Sequence, residues 1–392
     1  MKQRLYNGLL VTAEGILRQD LLLEDGKIAA ILAPEVPDSP DCQRIDCKGY
    51  YISPGFVDIH QHGGGGSDYM DDDPQAYLNA TEAHLAHGTT SVMPTLLSAD
   101  QTLLTRAVER YLVALRDSRI HANLLGLHIE GPYISPAQAG AQKPEHIRVF
   151  DPAEYRAVYA ASQGNIKRWS VAPEVEGARE FAAFAQDNGI ALSIAHSNAD
   201  FDTVLRAHDW GFRHVTHLYS CTSTIVRRNG FRTAGVLEAA YYLDGMNVEL
   251  IADGCHLPLS LLSYAAKFKD HSSIALITDA MRAAGQNVAT SFLGSAEDPL
   301  PVIIEDGVAK MTDRAAFAGS IATSDRLLRN MLAAGVSLPH AVQMLTSAPL
   351  QMMGLSVKKG ALLPGYDADL CVFDADVRIH DVFCLGNRVV HS

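Results

Sequence analysis

The central part of the chain alternates short apolar runs with longer segments of helical periodicity. Eight of these runs have the length and residue types of buried strands, and helix-like segments separate most of them. The predicted strands are 55–59, 90–94, 124–129, 169–172, 191–195, 214–216, 248–252 and 274–278. The predicted helices include 101–116, 152–163 and 178–188, with two more at 324–334 and 339–353. Eight strand–helix repeats predict a (β/α)8 barrel, although a doubly wound open sheet shows the same alternation.

Both ends of the chain have β character instead. Apolar runs at 21–23 and 28–31 flank an Asp-Gly turn, which is typical of a hairpin. Near the other end, 368–373 is a predicted strand and 381–390 a predicted hairpin around Gly386-Asn387. We therefore expect an α/β protein in which a TIM barrel carries a small β-sandwich domain formed by the N- and C-terminal segments. The expected bounds are 1–53 and 355–392 for the sandwich and 54–354 for the barrel.

Composition narrows the functional class. The 392 residues are 47% hydrophobic and 20% charged, which suits a large packed core. The net charge is −13 and no Lys/Arg-rich run is present, so we expect no nucleic-acid partner. No apolar stretch has the length of a signal peptide or a membrane span, and none of the six cysteines forms a CxxC pair. We expect a cytoplasmic protein with reduced thiols and no membrane partner.

Metal-competent side chains end five of the eight predicted strands. A single histidine after a strand is usually structural, and a single aspartate there is usually a helix N-cap. In a barrel, however, the carboxyl ends of all strands meet at one rim. Histidine and carboxylate ligands suit a divalent ion, most simply Zn²⁺. The candidate ligands are His60, His62, Glu130, His196, His217 and Asp279.

This set can hold one or two ions per subunit. For two ions, His60, His62 and Asp279 would hold the first, and His196 and His217 the second, with Glu130 as the bridge. The other histidines examined for this role are given ordinary structural roles. They are His84, His87, His121, His128, His208 and His340.

Motifs in the same order across nearly the whole chain resemble the N-acetylglucosamine-6-phosphate deacetylases, a family of the amidohydrolase superfamily. HxH alone is a weak signal, whereas Glu-Gly-Pro together with His-Ser-Asn-Ala and His-Leu-Tyr is specific. The motifs are PGFVDIHQHG (54–63), GLHIEGPY (126–133), AHSNA (195–199), THLY (216–219), IADGCH (251–256), TDA (278–280), AGS (318–320) and GYDADL (365–370).

The resemblance implies hydrolysis of N-acetylglucosamine 6-phosphate to glucosamine 6-phosphate and acetate by metal-activated water. It implies that Asp279 accepts the proton of the water and returns it to the departing nitrogen. It also implies that His256 contacts the substrate and steadies the developing oxyanion. Many barrels of this type bridge two metals with a carboxylated lysine after strand four. This chain has no lysine in the corresponding SVAPE (170–174), so Glu130 is the available substitute.

The resemblance also implies a substrate-binding set and a homodimer. The family usually continues His-Leu-Tyr with Asn-Ala-Met, whereas this chain has Ser220-Cys221-Thr222, and a family arginine then binds the phosphate, often across a dimer interface. Arg228 is the expected phosphate ligand here, with Arg227 and Arg232 as alternatives. The expected substrate-binding residues are Ala141, Gln142, Ser220, Cys221, Arg228, His256 and Ala318.

Three other functions stay open at this point. The substrate could be N-acetylgalactosamine 6-phosphate or another N-acetyl sugar. A cyclic-amide hydrolase of the dihydroorotase or hydantoinase kind shares the barrel and the metal, although the Glu-Gly-Pro motif disfavours it. A non-catalytic scaffold would be expected to lose ligands, whereas this chain has all six.

Overall fold

A computed structural model describes residues 2–37, 39–355 and 357–391, and at Arg228 it describes the backbone alone. The helices in these ranges are α1 (Gln75–Leu85), α2 (Gln101–Ala114), α3 (Pro152–Ala161), α4 (Ala178–Asp187), α5 (Phe201–Asp209), α6 (Val236–Tyr242), α7 (Leu259–Phe268), α8 (Ser324–Ala333), α9 (Leu338–Leu345) and α10 (Ser347–Met352). None of them is both long and apolar enough to span a membrane.

The strands fall into a barrel group and several flanking groups. They are β1 (Lys2–Tyr6), β2 (Leu9–Thr12), β3 (Gly15–Leu17), β4 (Asp20–Glu24), β5 (Lys27–Leu32), β6 (Gln43–Asp46), β7 (Tyr51–Pro54), β8 (Phe56–Gln61), β9 (Gly63–Gly64), β10 (Ser67–Asp68), β11 (Thr89–Leu96), β12 (Asn123–Leu124), β13 (Leu127–Glu130), β14 (Ile166–Val171), β15 (Ala191–Ile194), β16 (Phe212–Val215), β17 (Val226–Arg228), β18 (Phe231–Thr233), β19 (Asn247–Ile251), β20 (Ile274–Ile277), β21 (Thr290–Leu293), β22 (Leu300–Glu305), β23 (Val308–Met311), β24 (Leu370–Phe373), β25 (Ile379–Cys384) and β26 (Asn387–His391).

Eight parallel strands of the described chain form the barrel in the order β8-β11-β13-β14-β15-β16-β19-β20. Next to the ends of β20 and β8, the backbone N–H of Asp279 donates to the carbonyl of His60 at 2.9 Å, which brings the last strand against the first. The predicted (β/α)8 barrel is confirmed. The doubly wound alternative is wrong, because the strand order follows the sequence around a ring instead of reversing at a switch point.

The barrel is stabilised by apolar packing between its strands and the surrounding helices. Helix α2 shows how the sequence dictates this packing. Asp100 caps its first turn by accepting a hydrogen bond from the N–H of Leu103 at 2.9 Å. Leu104, Val108 and Tyr111 recur at helical spacing, and all three are buried against the strands. Burying each such side chain contributes about 1.5–3 kcal/mol.

The two ends of the chain together form a β-sandwich, as predicted. One sheet has the order β5-β4-β1-β6 and the other β26-β25-β24-β7-β2-β3, so strands from both ends pair within the second sheet. Between the sheets lies a separate apolar core that includes Leu5, Leu21, Leu370 and Phe383. The C-terminal hairpin turns at Leu385-Gly386, both at positive φ, one residue earlier than predicted.

Two elements differ from the sequence prediction. The helix expected over 339–353 is divided into α9 and α10 at Thr346, whose φ and ψ are −133° and −81°. Pro349 explains the break, because it has no N–H to donate inside a continuous helix but is tolerated in a first turn. The sequence prediction also missed a three-stranded antiparallel sheet of β21, β22 and β23, inserted after the eighth barrel strand. This sheet packs against residues of the barrel rim, including Leu97 and Met281.

Candidate metal centre

The carboxyl ends of the barrel strands bring together all six predicted metal ligands. Their ligand atoms form two groups, within each of which every atom lies within 4.8 Å of the others. We call His60, His62 and Asp279 the first cluster, and Glu130, His196 and His217 the second cluster. Each of the six residues is less than 9% exposed.

The first cluster is built from both sides of the barrel seam. Asp279 Oδ1 lies 3.4 Å from Nε2 of His60 and 3.2 Å from Nε2 of His62. The two imidazoles come from one extended segment, where side chains two residues apart point the same way. The aspartate reaches them because the backbone pairs across the seam at this level.

The second cluster is centred on one carboxylate oxygen. Glu130 Oε1 lies 3.2 Å from Nε2 of His196 and 2.9 Å from Nε2 of His217. The same carboxylate also faces the first cluster, with its oxygens 3.7 Å from Nε2 of His60 and 3.4 Å from Nε2 of His62. Glu130 therefore lies between the two clusters, where the two-ion interpretation of the sequence requires it.

Three of the six candidate ligands have backbone conformations that residues other than glycine rarely adopt. The φ angles of His196, His217 and Asp279 are +45°, +32° and +47°. Each of these residues is the second residue after the end of its barrel strand, so the chain turns sharply as it leaves the barrel. Strain of this kind persists when the surrounding structure requires it, and it is frequent in active sites.

The second ring nitrogen of each histidine is anchored to a different partner. Nδ1 of His60 lies 3.1 Å from Glu249 Oε2, and Nδ1 of His62 lies 3.3 Å from a main-chain carbonyl. Nδ1 of His196 lies 2.8 Å from the carbonyl of Gln138, and Nδ1 of His217 lies 3.1 Å from another carbonyl. Since these partners accept hydrogen bonds, Nδ1 carries the proton and Nε2 is left as the ligand atom.

The electrostatics of the centre favour a cation. Burial lowers the pKa of His60, but Asp279, Glu130 and Glu249 outweigh it and raise that pKa to about 9. Burial also opposes protonation of His62, yet its hydrogen bonds to Asp279 and Glu130 raise the pKa to about 10. Burial raises the pKa of Glu130, while the neighbouring histidines hold it well below its usual range. The clustered carboxylates thus attract positive charge, whether protons or metal ions.

A divalent ion fits these residues. Among the described residues, Nε2 of His60 is fully buried without a well-formed hydrogen bond, although it lies at the focus of the first cluster. Such an atom is costly to bury unless something binds it. Imidazole nitrogens with carboxylate oxygens are the donors that Zn²⁺ and similar ions prefer.

A pocket of about 210 Å³ opens directly onto both clusters. Five of the seven predicted substrate-binding residues line it, including His256, whose Nδ1 is anchored to Asp253 Oδ2 at 2.8 Å. The five are Ala141, Gln142, Ser220, Cys221 and His256.

The remaining two predicted contacts lie elsewhere. Ala318 is fully buried beside the pocket, and its N–H donates to the carbonyl of Ala309, so this group is already engaged. Arg228 ends β17 in an exposed hairpin, and its side chain lies outside the described part of the structure.

Sequence reasoning missed several residues that shape the site. Glu249 and Arg168 lie fully buried inside the barrel behind His60. Glu249 had a signal, because it is a charged residue within the apolar run of β19. Arg168 had none, because Lys167 precedes it in β14 and the strand is not apolar there. Gln142 was predicted as a substrate contact, and its amide donates to Glu130 Oε2 at 3.0 Å. Leu293 and Phe317, which line the pocket from the inserted sheet and the segment after it, had no recognised signal.

A closed parallel barrel with two histidine–carboxylate clusters at the carboxyl ends of its strands defines a barrel hydrolase of the metal-dependent class. Residues 51–389 match the model of the amidohydrolase family. The chain therefore belongs to the amidohydrolase family.

Its relatives include two kinds of amino-sugar deacetylase. It is 31% identical to N-acetylglucosamine-6-phosphate deacetylase of Lysinibacillus sphaericus, over 98% of this chain and 97% of that one. It is 32% identical to N-acetylgalactosamine-6-phosphate deacetylase of Escherichia coli O157:H7, over 96% of each chain. An aspartate-to-alanine variant of N-acetyl-D-glucosamine-6-phosphate deacetylase from Mycobacterium smegmatis, solved in complex with N-acetyl-D-glucosamine-6-phosphate, superimposes with a TM-score of 0.90, covering 100% of this chain and 99% of that one at 29% identity.

Proposed function

We propose that this protein hydrolyses the acetamide of N-acetylglucosamine 6-phosphate to glucosamine 6-phosphate and acetate. The observation that carries the proposal is the meeting of both ligand clusters at the floor of one pocket. The substrate is argued from the relatives, of which one is named for the glucosamine sugar and another, similarly related, for the galactosamine sugar. N-acetylgalactosamine 6-phosphate is therefore the second candidate.

The two clusters are proposed to hold one or two divalent ions, for which Zn²⁺ is the first candidate. Glu130 lies between the two clusters. An ion held there supplies Lewis acidity, which makes water nucleophilic at neutral pH and polarises the acetyl carbonyl. Asp279 lines the pocket and accepts a proton from the attacking water. The same carboxyl group then returns the proton to the sugar nitrogen as the amide bond breaks.

His256 is proposed to steady the oxyanion. Asp253 accepts hydrogen bonds from the ring and from the backbone N–H of His256, both at 2.8 Å, so the imidazole is held at two points. Phe317 packs against the ring with a centroid distance of 4.8 Å. A ring fixed in this way presents its other nitrogen to the acetyl oxygen without reorganisation during the reaction.

Arg228 is proposed to bind the sugar phosphate, with Arg227 and Arg232 as alternatives. All three lie on the β17–β18 hairpin, where Arg227 pairs with Arg232 and Arg228 with Phe231. The hairpin follows the loop that carries His217 and the pocket residues Ser220 and Cys221, so it is connected directly to the second cluster. A guanidinium group suits a phosphate because it can donate two parallel hydrogen bonds. Ala141, Gln142 and Ala318 are proposed to contact the sugar.

A homodimer through the same hairpin is also proposed. Phe231 and Tyr242 are 78% and 69% exposed. Tyr264 and Phe268 on helix α7 are half-exposed, and their rings lie 4.7 Å apart at a tilt of 50°. Exposed aromatic side chains are typical of an interaction surface. Sedimentation of the purified protein tests this, and a monomer at micromolar concentration would contradict it.

We also propose a cytoplasmic location and two domains. The β-sandwich domain comprises 1–53 and 355–392, and the barrel domain comprises 54–354. The free thiols support the location. The first boundary is supported by Pro54, which ends the last N-terminal strand of the sandwich just before the barrel begins at Phe56.

Acetate release from the N-acetyl sugars, compared with ring opening of dihydroorotate, decides the activity. The substrates are N-acetylglucosamine 6-phosphate, N-acetylgalactosamine 6-phosphate, the two unphosphorylated sugars and dihydroorotate, each with chelated and with Zn²⁺-reconstituted protein. We expect turnover of a phosphorylated sugar that chelation abolishes and Zn²⁺ restores. Hydrolysis of dihydroorotate alone, or no hydrolysis by the reconstituted protein, would contradict the proposal.

A further inference from the structure

A charged pair lies inside the barrel, beneath the metal centre. Glu249 on β19 and Arg168 on β14 are both 0% exposed, and Nη1 of Arg168 donates to Glu249 Oε1. A buried ion pair is weak evidence for stability, because desolvation of both charges offsets their attraction. A pair at this depth therefore calls for a role other than holding the fold together.

The pair is fixed by three barrel strands and touches both clusters. Nη2 of Arg168 donates to Ser193 Oγ at 3.0 Å and to Thr216 Oγ1 at 2.9 Å, so the guanidinium group is held in one orientation. The free oxygen of Glu249, Oε2, lies 3.1 Å from Nδ1 of His60. It also accepts a hydrogen bond from the backbone N–H of His217 at 3.3 Å.

The donor and acceptor rules leave one arrangement. Arginine only donates hydrogen bonds, and an ionised carboxylate only accepts them. Nδ1 of His60 must therefore carry the proton that it shares with Glu249. In a neutral imidazole Nε2 then keeps its lone pair, and this is the atom that faces Asp279.

We propose that Arg168 and Glu249 are a positioning pair that holds His60 in its metal-binding tautomer and thereby sets the affinity of the first cluster for a divalent ion. Neither residue lines the pocket described above. The inference rests on the metal centre of the proposed function and is independent of the sugar. It assigns different supports to the two clusters, since the second-cluster imidazoles are anchored through Nδ1 to main-chain carbonyls.

Glu249→Gln is the direct test. Arg168 donates only, so the carbonyl of the new amide must face it, and the NH₂ group must face His60. Nδ1 of His60 then accepts a hydrogen bond, and the proton moves to Nε2, where it blocks the ion. We expect Zn²⁺ affinity at the first cluster to fall about 10–100-fold, the usual effect of losing a partner behind a metal ligand. The NH₂ group also takes away the acceptor of the backbone N–H of His217, but the second-cluster imidazoles keep their anchors on main-chain carbonyls. The affinity of the second cluster should therefore fall less than that of the first.

Zn²⁺ alone is the probe, added to chelator-stripped full-length protein and followed by competition with a chromophoric chelator and by metal analysis after dialysis. His62→Ala provides the reference curve for a damaged first cluster, which Glu249→Gln should resemble. Glu154→Gln is the matched control. Glu154 is also a buried glutamate paired with an arginine, Arg148, but it lies outside both clusters. It should bind Zn²⁺ like the wild type.

A second substitution separates the effect of the amide's orientation on His60 from a general structural defect. In Glu249→Gln combined with Arg168→Met, the guanidinium group no longer binds the amide carbonyl. The backbone N–H of His217 still donates on the other side and favours turning the carbonyl toward His60, from which it can again accept. We expect this double variant to bind Zn²⁺ at the first cluster more tightly than the single variant. A structural defect alone would make the double variant equal or worse, and that result would overturn the proposal.

Two further outcomes keep the proposal testable. If Glu249→Gln does not fold, Glu249→Asp retains the charge beside Arg168 but withdraws it from His60, and the same loss of affinity is expected. Wild-type affinity in either variant would overturn the inference. Wild-type protein that binds two Zn²⁺ ions but releases no acetate would overturn the proposed function alone, and protein that binds no Zn²⁺ would overturn both.

Discussion

The two ligand clusters share one pocket but are supported by different parts of the molecule. Behind the first cluster lie groups of the barrel strands themselves, namely Glu249 and the carbonyl of Thr95. Behind the second lie carbonyls of Gln138 and Ser220, which belong to loops above the barrel. The first cluster is therefore part of the rigid frame, whereas the second is coupled to segments that also line the pocket.

The loops around the second cluster also pack closely on each other. A Cβ atom at Gly140, where φ is +58°, would lie 2.6 Å from Cys221 Sγ and 3.4 Å from His196. Only glycine fits there without displacing one of these neighbours. The comparison suggests a division of roles, with proton transfer at the rigid first cluster and substrate sensing at the second.

The largest expected effect comes from removing the proton acceptor of the first cluster. Asp279→Asn keeps the shape of the side chain but not its basicity, so kcat should fall by about 10²–10⁴-fold. At saturating Zn²⁺ the metal content should stay near that of the wild type, because the two imidazoles and the amide oxygen of the new side chain can still hold the ion. Metal analysis beside steady-state acetate release measures both. Asp381→Asn is the control, because Asp381 is a buried carboxylate of the sandwich paired with Arg388. Near-normal turnover in Asp279→Asn would show that the first cluster does not carry out the proton transfer.

Metal removal should make stability depend on pH through the first cluster. In the metal-free protein, the pKa values of His60 and His62 are about 9 and about 10, above their ordinary 6.5. A raised pKa contributes stability that is present below about pH 6.5 and is lost as pH rises through 9–10. The free energy of unfolding of the chelated protein should therefore fall as the pH rises from about 6.5 through 9–10.

Urea denaturation at several pH values measures this drop. The Zn²⁺-loaded protein should lack it, because its histidines are already deprotonated ligands. His62→Gln should reduce the drop in the chelated protein. Equal slopes for the loaded and chelated forms would show that the first cluster does not titrate as its surroundings predict.

Both clusters could be predicted because barrel geometry converts positions in the sequence into positions in space. Any side chain that ends a parallel strand reaches the same rim, so counting strands located all six ligands. The left-handed backbone at His196, His217 and Asp279 could not be predicted, since tertiary packing and not local preference imposes it.

The inserted sheet was missed although one of its turns has a clear signal. Glu305-Asp306-Gly307 separates two apolar runs, as Glu24-Asp25-Gly26 does in the N-terminal hairpin that was predicted. The eight strands before this segment already complete a barrel, so the alternation of strands and helices predicts no further sheet here. What the insert covers could not be predicted, because its contacts with the rim join residues far apart in the sequence.

The role of the second cluster and its neighbouring segments in substrate binding can be tested at the β17–β18 hairpin. Arg228→Ala should raise KM for the phosphorylated sugar by about 10–100-fold, the loss expected for charge-assisted hydrogen bonds to a phosphate. KM for the unphosphorylated sugar should change little. Arg227→Ala and Arg232→Ala, in the same hairpin, test the two alternatives. If Arg228 is the phosphate ligand, both should leave KM near that of the wild type. An equal rise for both sugars would mean that the hairpin supports the loop and does not bind phosphate.

The smallest expected effect concerns the contact that ties a second-cluster loop to the inserted sheet. Asp298 accepts from Lys143, next to the pocket residue Gln142, and lies 2.7 Å from Nε2 of His146. These partners hold the pKa of Asp298 below its usual value although burial opposes them. Its side chain is 33% exposed, and exposed ion pairs contribute at most about 1 kcal/mol.

Asp298→Asn should therefore raise KM by about 2–5-fold through a looser loop, with kcat nearly unchanged. Substrate titrations at low and high salt measure it, and the wild type at high salt should approach the variant because salt screens the pair. Arg314→Ala, which breaks the exposed pair with Glu305 on the same inserted sheet, is the control and should leave KM unchanged. If Asp298→Asn lowers kcat instead, the loop acts on the chemical step, and the second cluster does more than sense the substrate.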